Sequence, residues 1–340
     1  MKILFENYWD DLNRDNRVFE QKNAAIGDDL LLPFQVLKEA AAKRGIVTGT
    51  RSAVSLEEAD AVVFIDLPDT SRPQVRQLIT SGKPLYLIVL ESPLVRPVLV
   101  NDNLVGKFLK VFTYDDSMVD GRRFIKTNFS FDLSQKIRSK LSDKSKLAVM
   151  IAGNKRNGHP KELYSDRIAT IAWFEKNHPE DFDLYGVGWL EHHFGDQRPL
   201  CALNRCHPLR RLLARNYASY RGPVERKREV LERYRFAICY ENIKNVAGYI
   251  TEKIFDCFFA GCVPVYWGAD NVSDYIPADC FIDRRKFDSH EALYAFMAGI
   301  SDSDYREYLR NISGFLSGAP ACQFSVDTFA ATILNEIVSE

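Results

Sequence analysis

Long hydrophobic runs are missing from this chain. Stretches such as Leu85–Leu90 are strand-sized, far short of the roughly 20 apolar residues that span a bilayer. No leader is expected at this start either, since Met1-Lys2-Ile3-Leu4-Phe5-Glu6-Asn7 turns polar too soon for a signal peptide. Charge of one sign is not in excess. Forty-five Lys and Arg against 46 Asp and Glu leave a net charge of −1, so no global basic field advertises nucleic acid as a partner. Internal repeats and low-complexity tracts are absent as well. What is present is ordinary for a folded protein: 46% hydrophobic and 27% charged residues exclude disordered, collagen-like and fibrous classes. The length, 340 residues, suits two domains. A soluble, cytoplasmic chain without a transmembrane segment is the expectation.

Cysteine is sparse and odd in number: Cys201, Cys206, Cys239, Cys257, Cys262, Cys280 and Cys322. A chain of this size builds its own core and needs no disulfide staples. Cys239, within Phe236-Ala-Ile-Cys-Tyr240, reads as a small buried hydrophobe. His192, His193, Cys201, Cys206 and His207 contain zinc-ligand types, but the Cys201–Cys206 spacing is too wide for a tight knuckle and no second knuckle follows. A polar surface loop is the plainer reading.

Apolar runs alternate with helical patterns. In the first half, Lys2–Phe5, Ala61–Ile65 and Leu85–Leu90 read as strands. Phe34–Lys43 and Pro73–Ser81 read as helices, with Gly45 and Gly82 behind them. A polar stretch from Asp132 to Lys146 leads to a second alternation: strands at Leu147–Ile151, Phe182–Tyr185, Phe236–Tyr240 and Val263–Trp267, helices at Lys161–Lys176, Arg226–Arg233 and Glu252–Ala260. Strands apolar throughout, separated by helices, predict parallel sheets covered on both faces. The fold class is therefore α/β, with two Rossmann-like domains. The expected division is 1–140, 141–318 and a C-terminal helix at 319–340. Ligands in such sheets lie at the carboxyl ends of the strands.

The most informative stretch runs from Phe236 to Gly268. A strand ends in Glu241 and Asn242; a helix follows with Thr251 as N-cap and Gly261 just past its end. Ile254, Phe255, Phe258 and Phe259 form one apolar stripe. Lys253 is out of place, since a first helical turn disfavours a cation. Either an anion docks there, taking backbone N–H groups and the ammonium together, or the side chain is solvated at a small cost. Spacing leaves both open. Between Arg205 and Arg235 lie ten Lys or Arg against three Glu, a local excess that suits a polyphosphate or an anionic membrane surface; a solvated helix face explains part of it.

Tyr234-Arg-Phe236, Tyr240-Glu-Asn242, Tyr249-Ile-Thr-Glu-Lys253 and Val263-Pro-Val-Tyr-Trp-Gly268 together resemble the donor-binding signature of glycosyltransferase family 10, the α-1,3/1,4-fucosyltransferases. Asp183-Leu-Tyr-Gly186, Asn154 with Arg167, Leu90-Glu-Ser-Pro93 and the Asn7-Tyr8-Trp9 turn resemble further family segments, the last as in bacterial members. The resemblance is dense from Tyr234 to Phe287. It implies a GT-B fold, an acceptor domain before a donor domain with a cleft between. The implied reaction is an inverting transfer of L-fucose from GDP-fucose to a glycan hydroxyl, α-1,3 to GlcNAc or Glc of a lipopolysaccharide or lacto-type glycan. By the same resemblance Glu91 is the general base. Arg167 and Lys253 meet the diphosphate, Glu252 binds the ribose or steadies the positive sugar, and Tyr249 and Asn242 line the nucleotide pocket. No metal site and no required cofactor are implied, divalent ions at most stimulating. Asp302-Ser-Asp304 reads as a helix cap or solvated face.

Tyr240 and Ile243 depart from the family's usual phenylalanine and serine, and the loop Ile243–Gly248 is longer. The sequence shows no heptads or basic amphipathic tail like those of some bacterial relatives, so membrane attachment by that route is not expected, while other peripheral contact stays open. The rivals are a transferase of the same fold using a different nucleotide-sugar, a non-catalytic carbohydrate binder, and a Rossmann oxidoreductase. Tyr185-Gly186-Val187-Gly188 lacks the third glycine the last requires.

Overall fold

A computed structural model describes residues 1–21, 28–96, 102–137, 140–192, 194 and 200–338, without the side chains of residues 102, 200 and 201. The chain forms two compact units. The first comprises Met1–Leu133, Ala247–Glu252 and Pro320–Glu340; the second, Ser134–Val246 and Lys253–Ala319. The boundary therefore falls nearer 133 than the expected 140. The C-terminal segment, expected to stand apart, belongs to the first unit, as does the short piece 247–252.

The first unit carries a six-stranded sheet: β1 (Lys2–Asn7), β2 (Val47–Thr50), β3 (Ala61–Ile65), β4 (Leu85–Val89), β5 (Lys110–Thr113) and β6 (Phe124–Lys126), with helices α1 (Leu32–Lys43) and α2 (Pro73–Ile79). All strand pairs are parallel, in the order β2-β1-β3-β4-β5-β6. β3 and β4 are buried along their whole length, the reason their sequences read as unbroken apolar runs. β2, β5 and β6 were not legible as strands: Val-Thr-Gly-Thr, Lys-Val-Phe-Thr and Phe-Ile-Lys are short and partly polar.

The second unit begins with β7 (Lys146–Ile151) and continues through α3 (Tyr164–Asn177), β8 (Phe182–Tyr185), α4 (His207–Leu212), α5 (Lys227–Leu231), β9 (Tyr234–Tyr240), α6 (Glu252–Phe259), β10 (Val263–Trp267), β11 (Ile282–Asp283), α7 (His290–Gly299) and α8 (Asp302–Ser317). Its parallel sheet runs β11-β10-β9-β7-β8. Both sheets thus share one arrangement, in which the second strand lies on one side of the first and the third on the other. α3 starts later than its periodicity suggests because the Glu162 carboxylate accepts the N–H groups of Tyr164 and Ser165 (2.5 and 3.0 Å) and so defines the first turn. α6 ends in a Schellman turn. Cys262 N–H bonds Cys257 C=O (2.9 Å), Gly261 N–H bonds Phe258 C=O (3.0 Å), and Gly261 takes φ +59°. At the start of α8, Ser301 accepts the Asp304 N–H (3.2 Å), so Asp302 and Asp304 are first-turn residues of a capped helix.

The chain then returns to the first unit as α9 (Val326–Val338). Phe329, Ala330, Ile333, Leu334 and Ile337 enter the core formed by Ile3, Phe5, Val63 and Ile65 of the sheet and Phe34, Leu37 and Ala41 of α1. Phe329 meets Phe34 edge to face at 5.6 Å. Truncating this buried ring leaves a cavity in a core shared by three layers. Phe329→Ala is therefore expected to cost about 3–5 kcal/mol, read as a lowered urea midpoint; an unmoved midpoint would contradict the docking of α9.

Candidate functional site

In the second unit the critical feature is a divergence of strands. β7 pairs with β8 as far as Ile151↔Tyr185, and β9 pairs with β10 as far as Tyr240↔Trp267, but the β7–β9 register ends at Val149↔Ala237. Beyond that point the two strands part at their carboxyl ends. This is the topological switch point of the sheet, where ligands of open α/β sheets bind. An open pocket lies there, lined by Ile151 and Ala152 after β7, Ile238–Tyr240 of β9, Arg167 of α3, Lys227 of α5, and Lys253, Asp256 and Cys257 of α6.

Arg167 is buried. Its Nη2 donates to the carbonyls of Tyr240 (2.6 Å) and Glu241 (2.8 Å) and to Asn242 Oδ1 (3.1 Å), and its guanidinium lies over the Tyr164 ring at 5.1 Å. The side chain holds the end of β9 rather than running along a surface to water. Lys253 extends to Glu241, with Nζ 3.1 Å from Oε2. The cation in the first turn is thus matched by a carboxylate with 0% side-chain exposure. Lys227 pairs with Asp256 at 2.9 Å. Arg167, Lys227 and Lys253 therefore converge on one pocket with the carboxylates of Glu241 and Asp256 beside them.

One expectation changes here. Most of the basic residues between 205 and 235 are held elsewhere: Arg210 by Glu191, Arg221 by Asp183, Arg228 by Glu232, Arg235 by Asp302. Of that group, Lys227 lines the pocket. Asn242, expected to touch nucleotide, has its Oδ1 engaged by Arg167. Glu252 is half-buried as the first residue of α6. Tyr249 belongs to the first unit. There its buried ring meets Tyr114 at 4.9 Å and Phe129 at 6.1 Å. Gly248, just before it, has φ +79°, and an added Cβ would lie 2.2 Å from the Tyr114 carbonyl oxygen; no other residue fits that approach.

The thiols at the pocket are inert. A hydrogen bond shared with Cys239 and burial push the Cys257 thiol well above its ordinary range, and burial pushes Cys262 up to about 12. Among the described residues, His192, Cys206 and His207 form no three-ligand group; the one such group is His178, Glu180 and Asp181. His193 and the Cys201 side chain lie outside the described residues.

In the first unit, polar side chains gather where β1 and β3 end, that sheet's own switch point. Glu91, two residues past β4, accepts the Tyr8 hydroxyl at Oε1 (2.6 Å). Its N–H and that of Leu90 bond Asp66 Oδ1 (2.7 and 2.8 Å), and its carbonyl accepts the Tyr114 hydroxyl (2.9 Å). Nearby, Glu6 is 2% exposed, with Oε1 3.2 Å from both Asn13 Nδ2 and Arg51 Nη1, and Oε2 has no hydrogen-bond partner among the described residues. Burial raises both Glu6 and Asp66 to about 7. Sequence reading gave no individual role to Glu6, Asp66, Tyr8, Lys227, Glu241 or Asp256. Two signals were available: a charged residue late in the apolar run of β1, and an acid directly ending β3.

The raised acids fix a pH dependence. The folded state retains protons that the unfolded chain has released, so stability falls as pH rises between about 4 and 7. The urea midpoint is expected to be higher at pH 5 than at pH 8. Glu6→Gln and Asp66→Asn should each flatten that slope, and an unchanged slope in both would contradict the burial assignment.

Residues 211–313 match the family model described as glycosyltransferase family 10 (fucosyltransferase) C-term. An alpha-(1,4)-fucosyltransferase of Arabidopsis thaliana is 39% identical over 80 residues, which cover 23% of this chain and 20% of that protein. The chain thus aligns with about a fifth of that relative's length. A crystal structure of an alpha1,3-fucosyltransferase with GDP-fucose superposes with a TM-score of 0.53 at 17% identity, covering 98% of this chain and 89% of that one. An alpha-glucosyltransferase in complex with UDP-glucose and DNA superposes with a TM-score of 0.59 at 12% identity, covering 100% and 99%. These likenesses give the GT-B class of fold, two parallel α/β units, shared by transferases of different donors. The likeness to glycosyltransferase family 10 is carried by residues 211–313.

Proposed function

We propose that the protein is a glycosyltransferase that moves L-fucose from GDP-fucose, with inversion, to a hydroxyl of a glycan acceptor. The observation that carries this reading is the convergence of Arg167 and Lys253 on one pocket at the β7–β9 divergence, within the unit that bears the family segment. In the transition state the bond to the anomeric carbon loosens and negative charge grows on the departing diphosphate. Lys253, Lys227 and the start of α6 supply positive potential to that charge, and Arg167 keeps the carbonyls at the end of β9 turned from it. Glu91 takes the proton of the attacking hydroxyl. Glu252 contacts the ribose or the positive sugar. Neither metal nor cofactor enters these steps.

An α-1,3 linkage to GlcNAc or Glc of a lipopolysaccharide or lacto-type glycan is the acceptor assignment that goes with this donor, and a cytoplasmic setting suits it. Among the described residues, no helix is long and apolar enough to cross a membrane. A different nucleotide-sugar is the second reading, favoured by the likeness to a structure holding UDP-glucose. A thermal-shift comparison separates the two: GDP is expected to raise the melting temperature and UDP to leave it unchanged. The reverse would exchange the readings.

Glu91→Gln is expected to cut transfer by about 10²–10⁴-fold with the calorimetric affinity for GDP unchanged. Parallel loss of both would mean a structural role. Lys253→Ala is expected to weaken GDP about tenfold or more while guanosine binding barely moves, because a charge-assisted contact to phosphate is lost. Equal weakening of the two would contradict the diphosphate placement.

A further inference from the structure

Four neighbouring strands of the first sheet, in the order β1-β3-β4-β5, each deliver one side chain to the same spot. Tyr8 follows β1, Asp66 directly follows β3, Glu91 follows β4 and Tyr114 directly follows β5. Glu91 is central. Its carboxylate is held through Oε1 by the Tyr8 hydroxyl (2.6 Å), its N–H by Asp66 (2.7 Å) and its C=O by Tyr114 (2.9 Å). Tyr8 is fixed in turn, its N–H bonded to the Ile65 carbonyl at the end of β3 (3.1 Å) and its ring covered by the Arg96 guanidinium at 4.6 Å.

Asp66 is 3% exposed and takes two consecutive N–H groups on one carboxyl oxygen, from a backbone at φ +60°. A non-glycine residue in that region costs free energy. Here the left-handed turn brings the carboxyl beneath the Leu90–Glu91 peptide. So much fixing of one partly exposed glutamate exceeds what a loop residue needs. It is what a group that must meet a substrate atom within a few tenths of an ångström requires.

We propose that Tyr8 and Asp66 are positioning residues that hold Glu91 with Oε1 occupied and Oε2 as the oxygen that receives the acceptor's proton. This rests on the reading of Glu91 as the general base. Among the described residues, Oε2 of Glu91 has no hydrogen-bond partner, so the Tyr8 bond distinguishes the two oxygens. In the step itself the acceptor oxygen forms its bond to the anomeric carbon and its proton passes to Oε2. The bond from that carbon to the phosphate oxygen breaks, and its electron pair leaves on GDP. The Tyr8 hydrogen bond persists throughout, and Asp66 keeps the peptide from turning.

The test compares Tyr8→Phe, Asp66→Asn and Asp66→Ala with wild type in GDP-fucose transfer kinetics, and follows backbone hydrogen exchange at residues 90–91. Tyr8→Phe is expected to lower kcat about 10–100-fold with KM for GDP-fucose unchanged. The titratable and charged groups around Glu91 are Tyr8, Asp66 and Tyr114, with Arg96 over the Tyr8 ring.

Asp66→Ala is expected to speed exchange of the Leu90 and Glu91 amides and to depress kcat. Asp66→Asn, which keeps an acceptor oxygen, should restore most of both. Wild-type kcat in Tyr8→Phe, a loss of kcat there matched by an equal rise in KM, or unchanged exchange in Asp66→Ala, would overturn the proposal. Should the wild type fail to transfer from GDP-fucose, the proposed function falls. The exchange measurement then decides by itself whether Asp66 holds Glu91.

Discussion

Parallel strands that part leave backbone carbonyls without the neighbour that would have paired them, and a buried carbonyl without a donor is costly. At the end of β9 this demand is met by Arg167, whose Nη2 serves Tyr240, Glu241 and Asn242 together. The rest of the pocket follows. With β9 held open from β7, the Glu241 side chain is buried at its end and draws Lys253 of α6 into an ion pair. The Schellman turn at Gly261 and the buried face of Ile254, Phe255, Phe258 and Phe259 set the height and rotation of α6, and so aim its first turn at the same spot.

The first unit is furnished differently. Its switch point is furnished with acids, Glu6 and Asp66, that burial keeps near neutrality. A polar edge of this kind suits neutral, hydroxyl-rich ligands, whereas a cationic pocket suits a phosphate. Two sheets of the same strand order thus carry complementary chemistry, and the difference lies in a handful of residues immediately after the strands.

Strands such as Ala61–Ile65 and Val263–Trp267 were legible because burial on both faces writes an unbroken apolar run, and α6 because its stripe and terminal glycine agree. Lys253 was legible as an oddity, a cation where a helix start repels one. Its partner was not, since Glu241 lies twelve positions earlier and pairing depends on the β9–α6 geometry. Arg167 was legible through the family resemblance, but its capping of β9 is a long-range fact that periodicity does not encode. The basic run from 205 to 235 misled for the same reason: local charge counting cannot see Glu191, Asp183 or Asp302 arriving from elsewhere. That residues 247–252 join the first unit was not legible either, because a motif fixes residue types but not which unit a six-residue segment joins.

The account stands on the claim that the opening between β7 and β9 receives the diphosphate of a guanosine nucleotide. A crystal structure of the protein with GDP tests it most directly. The account predicts the terminal phosphate within about 3 Å of Lys253 Nζ, hydrogen-bonding distance for a charged pair, and over the first turn of α6. GDP seated away from Lys253 and Lys227, or absent at saturating concentration, would contradict it.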